Sequence, residues 1–178
     1  MKLAFAAVVS IILIAGLIPE FHRYEAEHDL YFATALFEAM LHHQVPDAQS
    51  AAAFEAVADS AARAADGLPG DSRPLILAGS LRLLARQPAD AQVIYMRALA
   101  DGERPEIDLN LGRAYEMLGN RESASAAILR AAWINPAIVS SLPESVQALV
   151  ESAVREDEKL LRHHRLAAPP RLPPDDPR

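Results

Sequence analysis

Cysteine is absent from this chain of 178 residues, and aromatic residues make up only 6% of it. Without cysteine there is no disulfide, no thiol nucleophile, no cysteine-ligated metal and no lipid-modified cysteine to act as an anchor. Positive charge is also scarce, since the formal net charge is −7. Because nucleic-acid binding needs a basic surface, we expect no nucleic-acid partner.

The sequence also has almost no alternation of β-branched and polar residues beyond its N-terminus, which is the pattern that predicts half-buried strands. Alanine instead dominates long stretches such as 51–65, and alanine is the best helix former. Hydrophobic residues reach 51%, enough for the core of one modest domain and an accessory segment. These features predict an all-α fold.

Signatures of catalysis are missing as well. The sequence has no glycine-rich phosphate loop and no H-E-x-x-H zinc motif. Two pairs of adjacent histidines, His42-His43 and His163-His164, invite a metal interpretation. Adjacent residues on a helix point about 100° apart, so one pair cannot offer two ligands to one ion. We expect a protein that is not an enzyme, with no metal and no cofactor; a small metal-dependent enzyme using these histidines is the alternative.

The N-terminal segment Leu3–Ile18 carries no charge. As a helix it would span roughly 24 Å, a little less than the ~30 Å hydrocarbon core of a bilayer. A cleaved signal peptide would need small residues before its cleavage site, but bulky Leu13 and Ile14 stand at the −3 positions and Pro19 follows. Residues 1–20 are therefore predicted to be an uncleaved transmembrane signal-anchor.

The flanks of this segment predict its orientation. Lys2 lies on the N-terminal side, whereas four acidic residues and one arginine follow between residues 20 and 29. Because positive charge stays in the cytoplasm, the rest of the chain should face the periplasm from a bacterial inner membrane. Phe21 and Tyr24 stand where an interfacial aromatic belt would lie.

Downstream, apolar residues recur every three or four positions and are separated by Pro, Gly and Asn. A capping-box pattern, Ser141-x-x-Glu144, predicts the start of the last helix, and Asp47 is a candidate N-cap for the second. The prolines of residues 167–178 exclude a helix and favour a disordered tail. The predicted helices are Tyr24–His43, Ala48–Ala65, Arg73–Ala85, Asp90–Leu99, Pro105–Leu118, Glu122–Ile134 and the last one.

The chain also repeats itself at a fixed interval. Gly79 recurs as Gly112, and two alanines recur with the same shift, Ala91 as Ala124 and Ala98 as Ala131. Periods of about 20–50 residues are typical of stacked supersecondary units that bury their apolar faces only against each other. The interval here, 112 − 79 = 33 residues, falls within that range and predicts a stacked array.

Residues 105–137 resemble the tetratricopeptide repeat (TPR) family through Gly112, Tyr115, Ala124, Ala131 and Pro136. Residues 72–104 resemble it less closely, and Asp108 stands where the family usually carries an aromatic residue. The resemblance implies about three helical hairpins and a C-terminal capping helix in residues 21–166, behind the single anchor.

TPR arrays bind protein segments in a concave groove lined by the first helix of each pair. The resemblance therefore implies a partner-binding groove here; the alternative is an ordinary solvated face. The residues at the groove positions are Arg73, Ile76, Ser80, Leu83, Glu106, Leu109, Arg113 and Glu116.

Together these features predict a membrane-anchored TPR scaffold that holds protein partners in a bacterial cell-envelope complex. Secretion, pilus, polysaccharide-export and cytochrome-maturation machineries are the candidate complexes. The alternative is an accessory structural subunit of a membrane enzyme complex, which would pack through its single span.

Overall fold

The computed structural model describes residues 2–46, 49–165 and 170, and for residues 2–15 it describes the backbone alone. The described chain is helical and contains no strand, as the all-α prediction requires. A 3₁₀ helix, Pro136–Ser141, lies before the last α-helix of these ranges. The α-helices are α1 (Lys2–Leu41), α2 (Ser50–Gly67), α3 (Arg73–Leu84), α4 (Pro88–Ala100), α5 (Pro105–Met117), α6 (Arg121–Ile134) and α7 (Glu144–Arg162).

The chain divides into two compact units, Met1–Ala78 and Gly79–Arg178, with the division inside α3. We call them unit 1 and unit 2. In unit 1, α1 packs along α2. The buried residues Ala26, Leu30 and Ala33 form one face of α1, as the spacing of three and four residues predicts.

Small residues bring α1 and α2 close together. A Cβ added at Gly67 would lie 2.5 Å from the Cβ of Ala26, so a larger residue at position 67 would push the two helices apart. The buried residues of α2 include Ala53, Val57 and Ala61. Alanine therefore serves close helix packing here as well as helix propensity.

The first helix joins two helices that the sequence predicts separately. We expected a break between the anchor of residues 1–20 and a helix from about Tyr24, but α1 runs from Lys2 through Pro19 without interruption. Pro19 removes one backbone hydrogen bond, yet the helical residues on both sides keep the segment in one element. The side chains of the predicted anchor up to Ala15 lie outside the described residues. In the part of the chain that is described, no helix is both apolar enough and long enough to cross a bilayer.

In unit 2, the repeat spacing has a structural counterpart. A Cβ added at Gly79 would lie 2.5 Å from the ring of Tyr95, and one added at Gly112 would lie 2.6 Å from Ile128. Tyr95 and Ile128 are related by the same shift along the sequence as the two glycines. Each glycine thus admits a large side chain from the next helix along the chain, in the same way twice.

The C-terminal part of unit 2 closes over α6. Ile128, Ala131 and Ala132 of α6 form an apolar cluster with Val139 of the 3₁₀ helix and Val150 of α7. The capping-box prediction is wrong, because α7 begins at Glu144 without a side-chain cap. The Ser141 hydroxyl instead donates to the Ile138 carbonyl at 2.7 Å, within the preceding 3₁₀ helix. Asp47 and the tail apart from Pro170 lie outside the described residues.

Candidate functional site

A polar cluster in unit 2 surrounds the hydroxyl of Tyr95, whose side chain is fully buried. The hydroxyl lies 3.0 Å from Oγ of Ser80 on α3. Two side chains of α5 also lower the pKa of this hydroxyl, Asn110 through a hydrogen bond and Arg113 through its positive charge. Ser80 and Arg113 were predicted to line the groove, so the structure brings two of these residues to one tyrosine.

Burial controls the chemistry of this tyrosine. Loss of solvation raises the pKa of Tyr95 to about 12, while the Ser80 hydrogen bond and the Arg113 charge oppose the rise. Tyr95 therefore stays neutral at physiological pH and works as a hydrogen-bonding group. The cluster can therefore hold the side chains of α3, α4 and α5 in place.

The predicted residues on α5 differ in exposure. Arg113 is exposed, and its Nη1 donates to Oδ1 of Asn110 at 2.9 Å, which orients the guanidinium. Glu116 is exposed one turn further along, and Glu106 is exposed beside Arg104, 3.6 Å away. These side chains offer charges of both signs to an approaching segment.

Leu109 lies in a different environment. Only 6% of its surface is exposed, and it belongs to the apolar cluster that joins α6, the 3₁₀ helix and α7. Leu109 therefore contributes to the core of unit 2. Leu83, near the end of α3, is half-buried.

The other two predicted residues, Arg73 and Ile76, belong to unit 1. Arg73 is exposed, and its guanidinium binds two carboxylates, Asp71 at 2.6 Å and Glu27 at 2.9 Å. Both interactions raise the pKa of Arg73, the Asp71 hydrogen bond most strongly. Ile76 is half-buried. Arg73 thus ties the start of α3 to α1 within unit 1.

Sequence reasoning missed an acidic cluster in unit 2. Asp108 on α5 is fully buried, and neither of its carboxylate oxygens has a hydrogen-bond partner. Beside it, Glu103 accepts two hydrogen bonds of 2.6 Å from Arg130 on α6. The remaining terminal nitrogen of Arg130 donates to the carbonyl of Pro170 at 3.0 Å.

The pKa values of the two carboxyl groups in the acidic cluster shift in opposite directions. Arg130 lowers the pKa of Glu103 through its hydrogen bonds. Burial, with the Glu103 charge as the next cause, raises the pKa of Asp108 to about 7. Asp108 therefore keeps its proton to a higher pH than an ordinary carboxyl group. The sequence signal for this group was an acid at a position where TPR proteins usually carry an aromatic residue.

The two histidine pairs lie near the ends of α1 and α7. Within residues 2–46, 49–165 and 170, no three His, Asp or Glu side chains are arranged to hold an ion. His42 lies 3.6 Å from Glu38 on the same helix. The ring of His163 lies 2.7 Å from the Lys159 carbonyl, in the last turn of α7.

No family model, no curated protein and no solved structure matches this chain.

Proposed function

We propose that this protein is a membrane-anchored TPR-like adaptor that binds protein partners of a bacterial cell-envelope complex at the periplasmic side of the inner membrane. One observation carries the proposal: Gly79 with Tyr95 and Gly112 with Ile128 repeat the same close packing in two successive helix pairs. Stacked hairpins of this kind are built to present an extended surface.

The exposed side chains of α5 supply the chemistry for binding. Arg113, oriented by Asn110, can donate to a carboxylate or to backbone carbonyls of an extended segment, and Glu116 can pair with a basic side chain. The neutral, buried Tyr95 fixes the helices from which these groups project. This division between a rigid tyrosine and exposed charges suits recognition rather than catalysis.

The anchor is supported by the uncharged run Leu3–Ile18, whose backbone is continuous with α1. Attachment to the membrane predicts that detergent, but neither carbonate nor high salt, extracts the protein. Recovery of a soluble form processed near residue 20 would leave a periplasmic adaptor without an anchor.

The binding surface is tested by a double variant, Arg113→Glu with Glu116→Arg, which exchanges the two charges and keeps the net charge. Tagged protein should lose the partners that co-purify with the unchanged chain, while its membrane fraction and helix content stay the same. The matched control is Arg121→Glu with Glu122→Arg, which exchanges two exposed charges on α6 and also keeps the net charge. Undiminished co-purification by the double variant would contradict the α5 surface.

The alternative role, a subunit that packs through its span, gives a different result. If Leu3–Ile18 is replaced by an unrelated anchor, the adaptor keeps its partners. Loss of the partners with the new anchor and retention with the charge exchange would favour the subunit instead.

A further inference from the structure

The middle of α1, from residue 17 to residue 31, carries a row of exposed side chains that are mostly apolar. Leu17, Phe21, Tyr24 and Tyr31 are 65%, 59%, 68% and 75% exposed, and His28, also exposed, lies between the last two. Their spacing alternates between four and three residues, which is the heptad spacing of a coiled-coil seam. We call these five residues the α1 stripe.

The α1 stripe lies opposite the face of α1 that is buried against α2, and Phe21, Tyr24 and His28 border a cleft that Arg63 of α2 also lines. At about 100° per residue, its members fall within roughly 80° of the helix circumference. Ala26, Leu30 and Ala33, the face buried against α2, lie on the opposite side. The α1 stripe is therefore not a frayed edge of the hairpin core. A continuous exposed apolar row of this kind marks an interaction surface.

Acidic residues border the α1 stripe on both sides. Glu20 and Glu27 lie along one flank and Glu25 along the other, at the positions whose charges select the partner in coiled coils. Glu27 is bound by Arg73 at 2.9 Å, and Glu25 lies 3.5 Å from His22. Pairing of two copies would set these acidic flanks against each other in either orientation. A second copy of this chain is therefore a poor occupant.

A lipid surface accounts only for the N-terminal members of the α1 stripe, since Leu17 lies within the predicted span and Phe21 directly after it. If residues 3–18 span the membrane, as in the proposed function, Tyr31 lies about 20 Å beyond the end of the span, at ~1.5 Å per residue. The headgroup layer is only about 5–8 Å thick on each side. The acidic flanks would also be repelled by anionic lipids.

We infer that the α1 stripe binds an α-helix of another protein, apolar along its own seam and lined with lysine or arginine at the flanking positions. The partner helix would run beside α1 just outside the membrane, where it buries Tyr24 and Tyr31 and pairs with Glu20 and Glu25. The inference rests on the proposed function for the location of this helix, but the chemistry of the partner follows from the α1 stripe itself.

The test uses the whole chain in nanodiscs of zwitterionic lipid and two labelled synthetic helical peptides. Both peptides have the same leucine seam; one carries lysine and the other glutamate at the flanking positions. By fluorescence anisotropy we expect the lysine peptide to bind about ten-fold more tightly than the glutamate peptide. Equal binding of the two peptides would overturn the charge argument.

Two double variants assign the binding to the α1 stripe. Tyr24→Ala with Tyr31→Ala should weaken the lysine peptide by about ten-fold. Val93→Ala with Leu149→Ala is the matched control, since it removes two apolar side chains that are as exposed but lie in unit 2, and it should change nothing. Glu20→Lys with Glu25→Lys should reverse the preference toward the glutamate peptide.

Other occupants would give their own signals. A dimer without peptide that the tyrosine variant dissociates would assign the α1 stripe to a second copy and overturn the proposal. A lipid-buried signal from a polarity-sensitive dye at position 31 would assign the α1 stripe to the bilayer and would also overturn the proposal.

If the protein washes off membranes but selects the lysine peptide, the anchor fails and the α1 stripe stands. If the adaptor tests succeed and the peptides do not discriminate, only the α1 stripe fails.

Discussion

The two units of this chain leave apolar side chains exposed in different ways. Unit 1 exposes four large aromatic residues along one helix, Phe21, Tyr24, Tyr31 and Phe32. The strongly exposed large hydrophobics described in unit 2 are aliphatic and scattered over α3 to α7, such as Val93 and Leu149. Single exposed apolar residues are ordinary, whereas an aligned set is not. Unit 2 therefore covers its large aromatic residues, whereas the hairpin of unit 1 leaves four of them exposed on one helix.

The units also differ in where they hold charge. Unit 1 keeps its ion pairs at the surface, as in the two hydrogen bonds from Arg63 to Asp29. Unit 2 buries the carboxyl of Asp108 next to the partly exposed pair of Glu103 and Arg130. Surface pairs contribute little to stability and lose strength in salt. A buried acid makes stability depend on pH instead.

The closest packing in unit 2 predicts the largest effect. Gly79→Ala should lower the free energy of unfolding by about 2–3 kcal/mol, because the new Cβ meets the rigid, buried ring of Tyr95. Gly112→Ala should cost a similar amount, about 2 kcal/mol, because the new Cβ meets Cγ1 of the buried, β-branched Ile128 at 2.6 Å and the Ala124 carbonyl oxygen at 3.3 Å. Urea unfolding followed by Trp133 fluorescence measures both, since this single tryptophan lies in unit 2.

The control for the glycine variants is Ser125→Ala, at an exposed position of α6. It adds helix propensity without a new contact and should leave stability within about 0.5 kcal/mol. If Gly79→Ala changed the free energy of unfolding no more than this control does, the close packing at the repeated glycines would not contribute to stability.

The helices of unit 2 could be predicted from sequence because their signals are local. Proline and asparagine mark the ends of α5 and α6, and the predicted bounds differ from the observed ones by one residue at most. The continuity of α1 could not be predicted, because Pro19 favours a boundary between the anchor and the helix from Tyr24, and only the helical residues on both sides override it.

The candidate site was harder to predict than the helices. The resemblance to TPR proteins assigns Ser80 and Arg113 to groove positions, but their meeting at Tyr95 depends on three helices packing together. Leu109 was assigned to the same surface, yet it joins the core because the chain after α6 folds back over that side. The burial of Asp108 likewise depends on tertiary packing that no local pattern encodes.

The second largest effect is expected from the buried carboxyl group of Asp108, which makes stability depend on pH. The pKa of Asp108 rises from 3.8 to about 7 on folding, so the folded state binds more protons than the unfolded state between these values. Stability should therefore be greatest near the lower value and fall as the pH rises toward 7. The full shift corresponds to about 4 kcal/mol, and we expect about 2 kcal/mol because solvent screens the partly exposed Glu103 and Arg130.

Asp108→Asn removes the titrating proton and keeps the shape. Between about pH 4 and about pH 8 the unchanged protein should lose about 2 kcal/mol, and the variant should be nearly flat by Trp133 fluorescence. Glu116→Gln, at an exposed position on the same helix, is the control and should keep the slope. An undiminished slope in Asp108→Asn would mean that another group titrates.

The smallest effect belongs to the surface charges of unit 1. Arg63 lowers the pKa of Asp29 through its hydrogen bonds, so this pair stabilises unit 1 at neutral pH and loses its contribution as the pH falls below the ordinary value of 3.8. Arg63→Gln should speed hydrogen exchange in α2 only slightly at low salt, and not at all near 1 M salt, where the Debye length is about 3 Å. Arg162→Gln removes another exposed pair, with Glu158 on α7, and should leave α2 unchanged. An effect of Arg63→Gln that persisted in high salt would show that unit 1 depends on this contact for packing, as unit 2 depends on its buried groups. The two units would then differ only in the exposure of their apolar side chains.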